Sequence, residues 1–140
     1  MKLLAGFEID MRERMNGWRL LTDSEDQDEQ FEAKPAELFK PGETYVSGQT
    51  LLPRANEIGS CTGQRHAESL RREGSRIFAE CPKDVFLFPD TLWENQSGAV
   101  FVPAMRLFAG LNCLFFHPLD VNFEKRWRYR LIVARLTMSL

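Results

Sequence analysis

Long hydrophobic runs are missing from this chain. No apolar stretch approaches the ~18 residues of a membrane-spanning helix, so no membrane partner is expected. Met1-Lys2-Leu3-Leu4-Ala5-Gly6 opens like a leader. Glu8 and Asp10 cut its apolar part short of the ~7–15 residues a leader core needs, which points to a cytoplasmic location. Cysteine is sparse. Cys61, Cys81 and Cys113 are odd in number, far apart and without a CxxC pair, which argues against a disulfide framework and for reduced thiols. Histidine is rarer still, with only His66 and His117. A zinc site from these five residues has the right residue types but the wrong spacing. Cys113 and His117, four apart on a strand, would sit ~13 Å from end to end at ~3.3 Å per residue. P-loop, dinucleotide, GxSxG and HExxH fingerprints are absent too, so no metal and no cofactor is expected.

What is present suits one globular domain over residues 1–140. Of its 140 residues 44% are hydrophobic and 27% charged, enough to build a core without metal or disulfide. The net charge of −2 conceals an asymmetry. Residues 1–50 hold six Lys/Arg against eleven Asp/Glu, a net of −5, while residues 51–140 hold twelve against nine, a net of +3. The acidic excess centres on a polar stretch read as a mobile loop at about 23–34. Its Asp23, Glu25, Asp26, Asp28 and Glu29 are candidates for docking a basic partner.

Periodicity places one long helix over Leu51–Arg72, with Ser47 or Thr50 as its cap and Pro53 in or near its first turn. Ala55, Gly59, Gly63 and Ala67 recur every fourth residue on the inner face, beside His66. Arg54, Gln64, Arg65, Glu68, Arg71 and Arg72 lie on the outer face. Residues 3–21 read either as a helix or as a hairpin turning at Asn16-Gly17 into Trp18–Leu21, and the helix has the longer pattern. Pro35–Phe39 reads as one helical turn, and Arg76–Glu80 as a short helix. From Val85 onward, short runs rich in Phe, Val and Leu alternate with turn signals. Two hairpins, around 94–98 and 109–112, and a last strand from about Tyr129 to Leu136 are expected. The fold expected is therefore α+β. A long central helix in an N-terminal helical half would pack on a C-terminal antiparallel meander of four or five strands, with an SH3-like roll as one form.

Few residues suggest chemistry. His66 suits a general base but has no oriented partner within the helix, so a buried structural histidine is the plainer reading. Asp90 and Glu94 flank Trp93 as a paired-acid arrangement that turn chemistry also explains. Lys125, Arg126, Trp127, Arg128, Tyr129 and Arg130 interleave cations with rings, a pattern able to contact phosphates and stack bases, although the pI is near 5.7. Without a catalytic constellation, the expected function is a non-catalytic protein-interaction module. By analogy of size and style it would be a small inhibitor, adaptor or regulatory protein of phage or mobile-element type. Its docking candidates are the acidic loop and the Arg65, Arg71 and Arg72 face, and a homodimer stays open. The alternatives are a nucleic-acid-binding module using residues 125–130 and a small hydrolase centred on His66.

Overall fold

The computed structural model describes residues 17–24, 31–72 and 76–136. In chain order its elements are β1 (Arg19–Thr22), β2 (Phe31–Glu37), β3 (Tyr45–Ser47), α1 (Gly48–Ile58), α2 (Gln64–Arg72), α3 (Arg76–Glu80), β4 (Val85–Leu87) and β5 (Leu92–Glu94). There follow β6 (Val100–Phe108), β7 (Leu111–Pro118), β8 (Asn122–Glu124), a 3-10 turn at Lys125–Trp127 and β9 (Tyr129–Leu136).

Strand β6 organises the sheet. Its two-residue turn at Ala109-Gly110, with both φ angles positive, returns the chain as β7, paired from Phe108↔Leu111 to Phe101↔Pro118. On its other side β6 takes two short strands in succession, β5 at Phe101 and Val100 and β4 at Met105 and Ala104. Strand β1 extends β5, and β9 and then β2 extend β4, so the sheet forks beyond β6. The β4–β9 pair is parallel, and the other pairs are antiparallel. A separate two-stranded ribbon joins β3 to β8.

The core strands carry large apolar side chains on both faces. Leu87, Ala104 and Leu131 belong to one cluster, with Leu51 and Ala55 of α1 and with Leu38, Val46 and Phe123. Their sequence neighbours Phe86, Met105 and Ile132 belong to a second cluster, with Ala67 and Leu70 of α2 and Ile77 and Phe78 of α3. Alternation along each strand thus demands helical cover on both faces. Full burial of one such side chain is worth about 1.5–3 kcal/mol, so neither face can be left bare.

This requirement overturns the expected long helix and N-terminal helical half. Two short helices stand where one was expected, because the two halves of 51–72 serve opposite faces of the sheet. Helix α1 stops at Gly59, whose left-handed φ of 88° lets its N–H reach Ala55 O and Asn56 O. Ser47 caps the start of α1 by accepting from Thr50 N, and Pro53 lies inside the helix. The link from Gly59 to Gly63 then passes the end of β4. There Ser60 Oγ and Thr62 Oγ1 donate to Ile132 O at 2.6 and 3.3 Å, and Asp90 N donates to Thr62 O. Ser60, Thr62 and Gly63 are all buried, so the link fills the fork of the sheet.

Other expectations are also corrected. The sheet is a curled, mixed one that recruits β1 and β2 from the first half of the chain, not a C-terminal meander, and its parallel pair departs from an antiparallel roll. Pro35–Glu37 is strand, with Pro35 opposite Ile132. Strand β2 ends the sheet, where a residue lacking N–H is tolerated. The outer helix face is not solvated throughout. Arg54, Gln64 and Glu68 are buried, and Arg54 makes a two-pronged pair with Glu43 and a bond to Leu38 O. Those hydrogen bonds, followed by that from Lys40 N, hold the Glu43 carboxyl down at about 2. Expectations for 3–16 and for the acidic stretch 25–30 lie outside the described residues. Residues 31–34 of the expected loop are strand β2.

Gly59 and Gly63 meet different constraints, and substitution separates them. A Cβ on Gly59 meets no atom within 4 Å, so Gly59→Ala should cost only the left-handed backbone strain, about 1 kcal/mol. A Cβ on Gly63 collides with Thr91 Oγ1 and Ser24 Oγ, so Gly63→Ala should cost about 3 kcal/mol. Urea unfolding of the two variants measures both, and equal losses would contradict a tightly filled fork.

Candidate anion-binding groove

The groove begins on one face of the β6–β7 hairpin. Cross-strand pairing sets Arg106 opposite Cys113, Ala104 opposite Phe115 and Val102 opposite His117, so alternate residues bring Arg106, Phe115 and His117 to one side. The inner part of that side is core, and the outer part is the groove floor. Arg106 lies 5.2 Å from the ring centre of Phe108, which is exposed at the hairpin tip.

The opposite wall is the turn from β8 to β9. Lys125–Trp127 form a single 3-10 turn, closed by Arg128 in the left-handed region at φ 61°, ψ 44°. That conformation costs a non-glycine residue about 1–2 kcal/mol. The surroundings hold it. Arg128 N donates to Lys125 O at 2.9 Å, Arg128 O accepts from Val85 N, and Arg128 Nε reaches Asp84 Oδ1 at 2.7 Å. Asp84 is buried and takes Arg130 Nη1 on its other oxygen at 3.3 Å. The turn therefore throws Arg126 and Trp127 outward. Trp127 is 56% exposed, with the Arg126 guanidinium 5.1 Å from its ring centre.

Between the walls lies a concavity of about 360 Å3. Lys83, Arg106, Arg126 and Arg128 converge on it, and among the described residues no carboxylate lines it. Phe115, His117, Trp127 and Tyr129 supply rings. His117 is fully engaged. Pro118 O can only accept, so Nδ1 donates to it at 2.8 Å, and Nε2 then accepts from the Tyr129 hydroxyl at 2.7 Å. Burial, and then Glu124, push the Tyr129 hydroxyl above its ordinary range and keep it a donor. A second hollow, of about 650 Å3, adjoins the first through Arg126 and is bordered by Tyr45, Asn122, Glu124 and Lys125.

The sequence candidates divide in space. Lys125, Arg126, Trp127 and Arg128 are exposed around the groove, whereas Arg130 turns to Asp84. They lie on a turn leading into β9, an interior strand of the sheet. Asp23 and Arg65 form an ion pair of 2.8 Å, with Arg65 also bonded to Ser24 O and Ser24 Oγ. Their side chains are only 12% and 9% exposed. Arg71 and Arg72 lie at the end of α2, half-buried and exposed respectively. Glu25, Asp26, Asp28 and Glu29 lie outside the described residues. Glu94 pairs with Arg19 at 2.7 Å, and burial followed by Asp23 raises the Asp90 carboxyl. Among the described residues, no three His, Cys, Asp or Glu side chains gather as metal ligands. No helix described is long and apolar enough to cross a membrane.

His66 is buried and caps its own helix. Its Nδ1 accepts from Gly63 N at 2.9 Å, the reciprocal bond that Glu or Gln makes in a capping box. Phe31 packs edge-on against the ring at 5.0 Å. Burial chiefly, and then the Arg65 charge, push the imidazole down to about 4, with Asp23 opposing.

Lys83, Arg106 and Tyr45 were not singled out from the sequence. One signal was available for Arg106, the lone cation within the apolar run Val100–Phe108. Neither Lys83 nor Tyr45 stands out in its own neighbourhood.

No family model matches this chain, and no curated protein or solved structure matches it either.

The His66 environment predicts an acid-side loss of stability. The folded imidazole stays neutral down to about 4, while the unfolded one takes up its proton near 6.5. Between those values the unfolded chain binds more protons. This contribution is therefore complete above pH 6.5, falls as pH is lowered, and levels off below pH 4, for a total of about 3 kcal/mol. His66→Gln retains an acceptor for Gly63 N. Urea unfolding from pH 7 to 4.5 should show the slope in the parent and a flatter profile in the variant. An unchanged slope would assign it to another group.

Proposed function

We propose that this chain is a non-catalytic binding module and that its binding face is the groove beside residues 125–130, which takes an extended anionic ligand. The observation that carries this reading is the convergence of Lys83, Arg106, Arg126 and Arg128 on one concavity with no carboxylate lining it among the described residues, in a chain of net charge −2. Cations gathered in a concave site focus potential even on an acidic protein. Two of the four are partly neutralised, Arg128 by Asp84 and Arg126 by the exposed Glu124 at 3.3 Å. Lys83 and Arg106 have no carboxylate partner among the described residues, which leaves them available to a ligand.

An inhibitor or adaptor docking through the acidic stretch and α2 draws less support. Asp23 and Arg65 are spent on each other in the interior, and their loss would act through folding. A hydrolase centred on His66 draws less as well, because the ring is buried and its Nδ1 lone pair is already engaged. Cys61, Cys81 and Cys113 are free thiols.

Fluorescently labelled heparin is a suitable probe of charge alone. Anisotropy should report binding at low salt that weakens as salt rises. Replacing Arg106 and Arg126 together with Ala should weaken it at least tenfold, while Lys34→Ala, on the exposed edge strand, should leave it unchanged. Absence of binding at low salt, or equal loss in the Lys34 variant, would sink this reading.

A further inference from the structure

We infer that the ligand of this groove is single-stranded nucleic acid, a conclusion that rests on the anion-binding reading above and specifies it. Charge alone would be served by lysines and arginines on a convex surface. Here the cations alternate with rings that are more than half exposed, although the Arg126 guanidinium lies over part of the Trp127 ring. Trp127 is 56% exposed at the first hollow and Tyr45 is 54% exposed at the second. Large rings are normally packed inside. Arg126 borders both hollows, so a cation stands between the two exposed rings. A backbone phosphate at Arg126 with flanking bases over Trp127 and Tyr45 matches the order of groups along a single strand.

The dimensions favour one strand over two. A hollow of about 360 Å3 is of the size that holds a small-molecule-sized group such as a nucleotide. A duplex hides its base faces in its own stack and would leave both rings without a partner. An acidic peptide would use the cations but not the rings. The fixed wall also fits recognition by a rigid platform. Arg128 is locked by Asp84, and His117 is locked between Pro118 O and Tyr129.

The test uses a twelve-residue thymidine oligonucleotide, a duplex of equal length, polyglutamate and heparin. Tryptophan emission and anisotropy are read together. The oligonucleotide is expected to quench emission and to bind more tightly than duplex or polyglutamate. Trp127→Ala should cost on the order of tenfold and remove most of the quenching, while Trp127→Phe keeps most of the affinity. Tyr45→Ala should weaken the oligonucleotide but not heparin. Thermal unfolding checks that each variant is folded, which is expected because both rings are more than half exposed. If heparin and polyglutamate bind as tightly as the oligonucleotide and Trp127→Ala is silent, the groove reads charge alone. The single-strand inference then falls while the anion-binding reading stands. Preference for duplex would overturn the inference as well. If none of the four binds at low salt, both readings fall.

Discussion

The arrangement of the whole molecule depends on how the chain crosses from one face of its sheet to the other. Strand β4 ends at Leu87, so the Ile132 carbonyl of β9 is left facing a gap. A buried carbonyl without a partner would cost about 1–3 kcal/mol. The hydroxyls of Ser60 and Thr62 fill that need, and the Asp90 amide in turn uses Thr62 O. The link stands in for a missing strand. Just beyond it, Gln64 fastens the second helix. Its backbone N–H donates to Thr91 Oγ1, its side-chain oxygen accepts from Trp93 Nε1, and its side-chain nitrogen donates to Glu68. Thr91 Oγ1 donates onward to Asp23, which holds Arg65. A polar chain thus runs from the end of β1 through β5 to α2. Such a network specifies geometry more than it adds stability, because half of it would be worse than none.

That crossing also explains where the sequence misleads. The small-residue ladder Ala55, Gly59, Gly63 and Ala67 has helical spacing, so periodicity alone extends one helix through it. The competing signal was local: Gly59-Ser60-Cys61-Thr62-Gly63 is a run of turn formers. The ladder's two ends lie in different hydrophobic clusters, a fact that belongs to tertiary structure. Pro35–Phe39 failed similarly, since pairing with β9 outweighs a proline-led helical pattern. By contrast, the hairpin strands, Arg76–Glu80 and the span Tyr129–Leu136 were legible. Turn formers or a terminator flank the hairpin strands and Arg76–Glu80, and the alternation of Tyr129, Leu131 and Val133 marks the last strand.

The groove was half legible for a related reason. The wall made by residues 125–128 is contiguous, so its alternation of cations and rings can be read directly. The wall made by Arg106 with Phe115 and His117 is assembled by cross-strand register, and Lys83 and Tyr45 arrive from separate elements. A net charge of −2 hides them further, because composition averages over sites that the fold separates.

The groove's shape and its charge come from one buried group. Asp84 offsets part of Arg128's charge, which weakens the site as a simple attractor of anions. The same contact stabilises the left-handed turn at Arg128 and so fixes where Arg126 and Trp127 point. Without it the strained residue would be free to relax toward ordinary backbone, at a gain of about 1–2 kcal/mol, and the wall would lose its form. The structure therefore gives up some local charge for a fixed wall. Among the described residues Arg106 and Lys83 remain as the cations without carboxylate partners, and together with the weakly paired Arg126 they set the salt response. A single strand contacting these three groups would show a log–log salt slope of roughly −2. That modest slope would leave the rings, more than the cations, to set the affinity of this face at moderate salt.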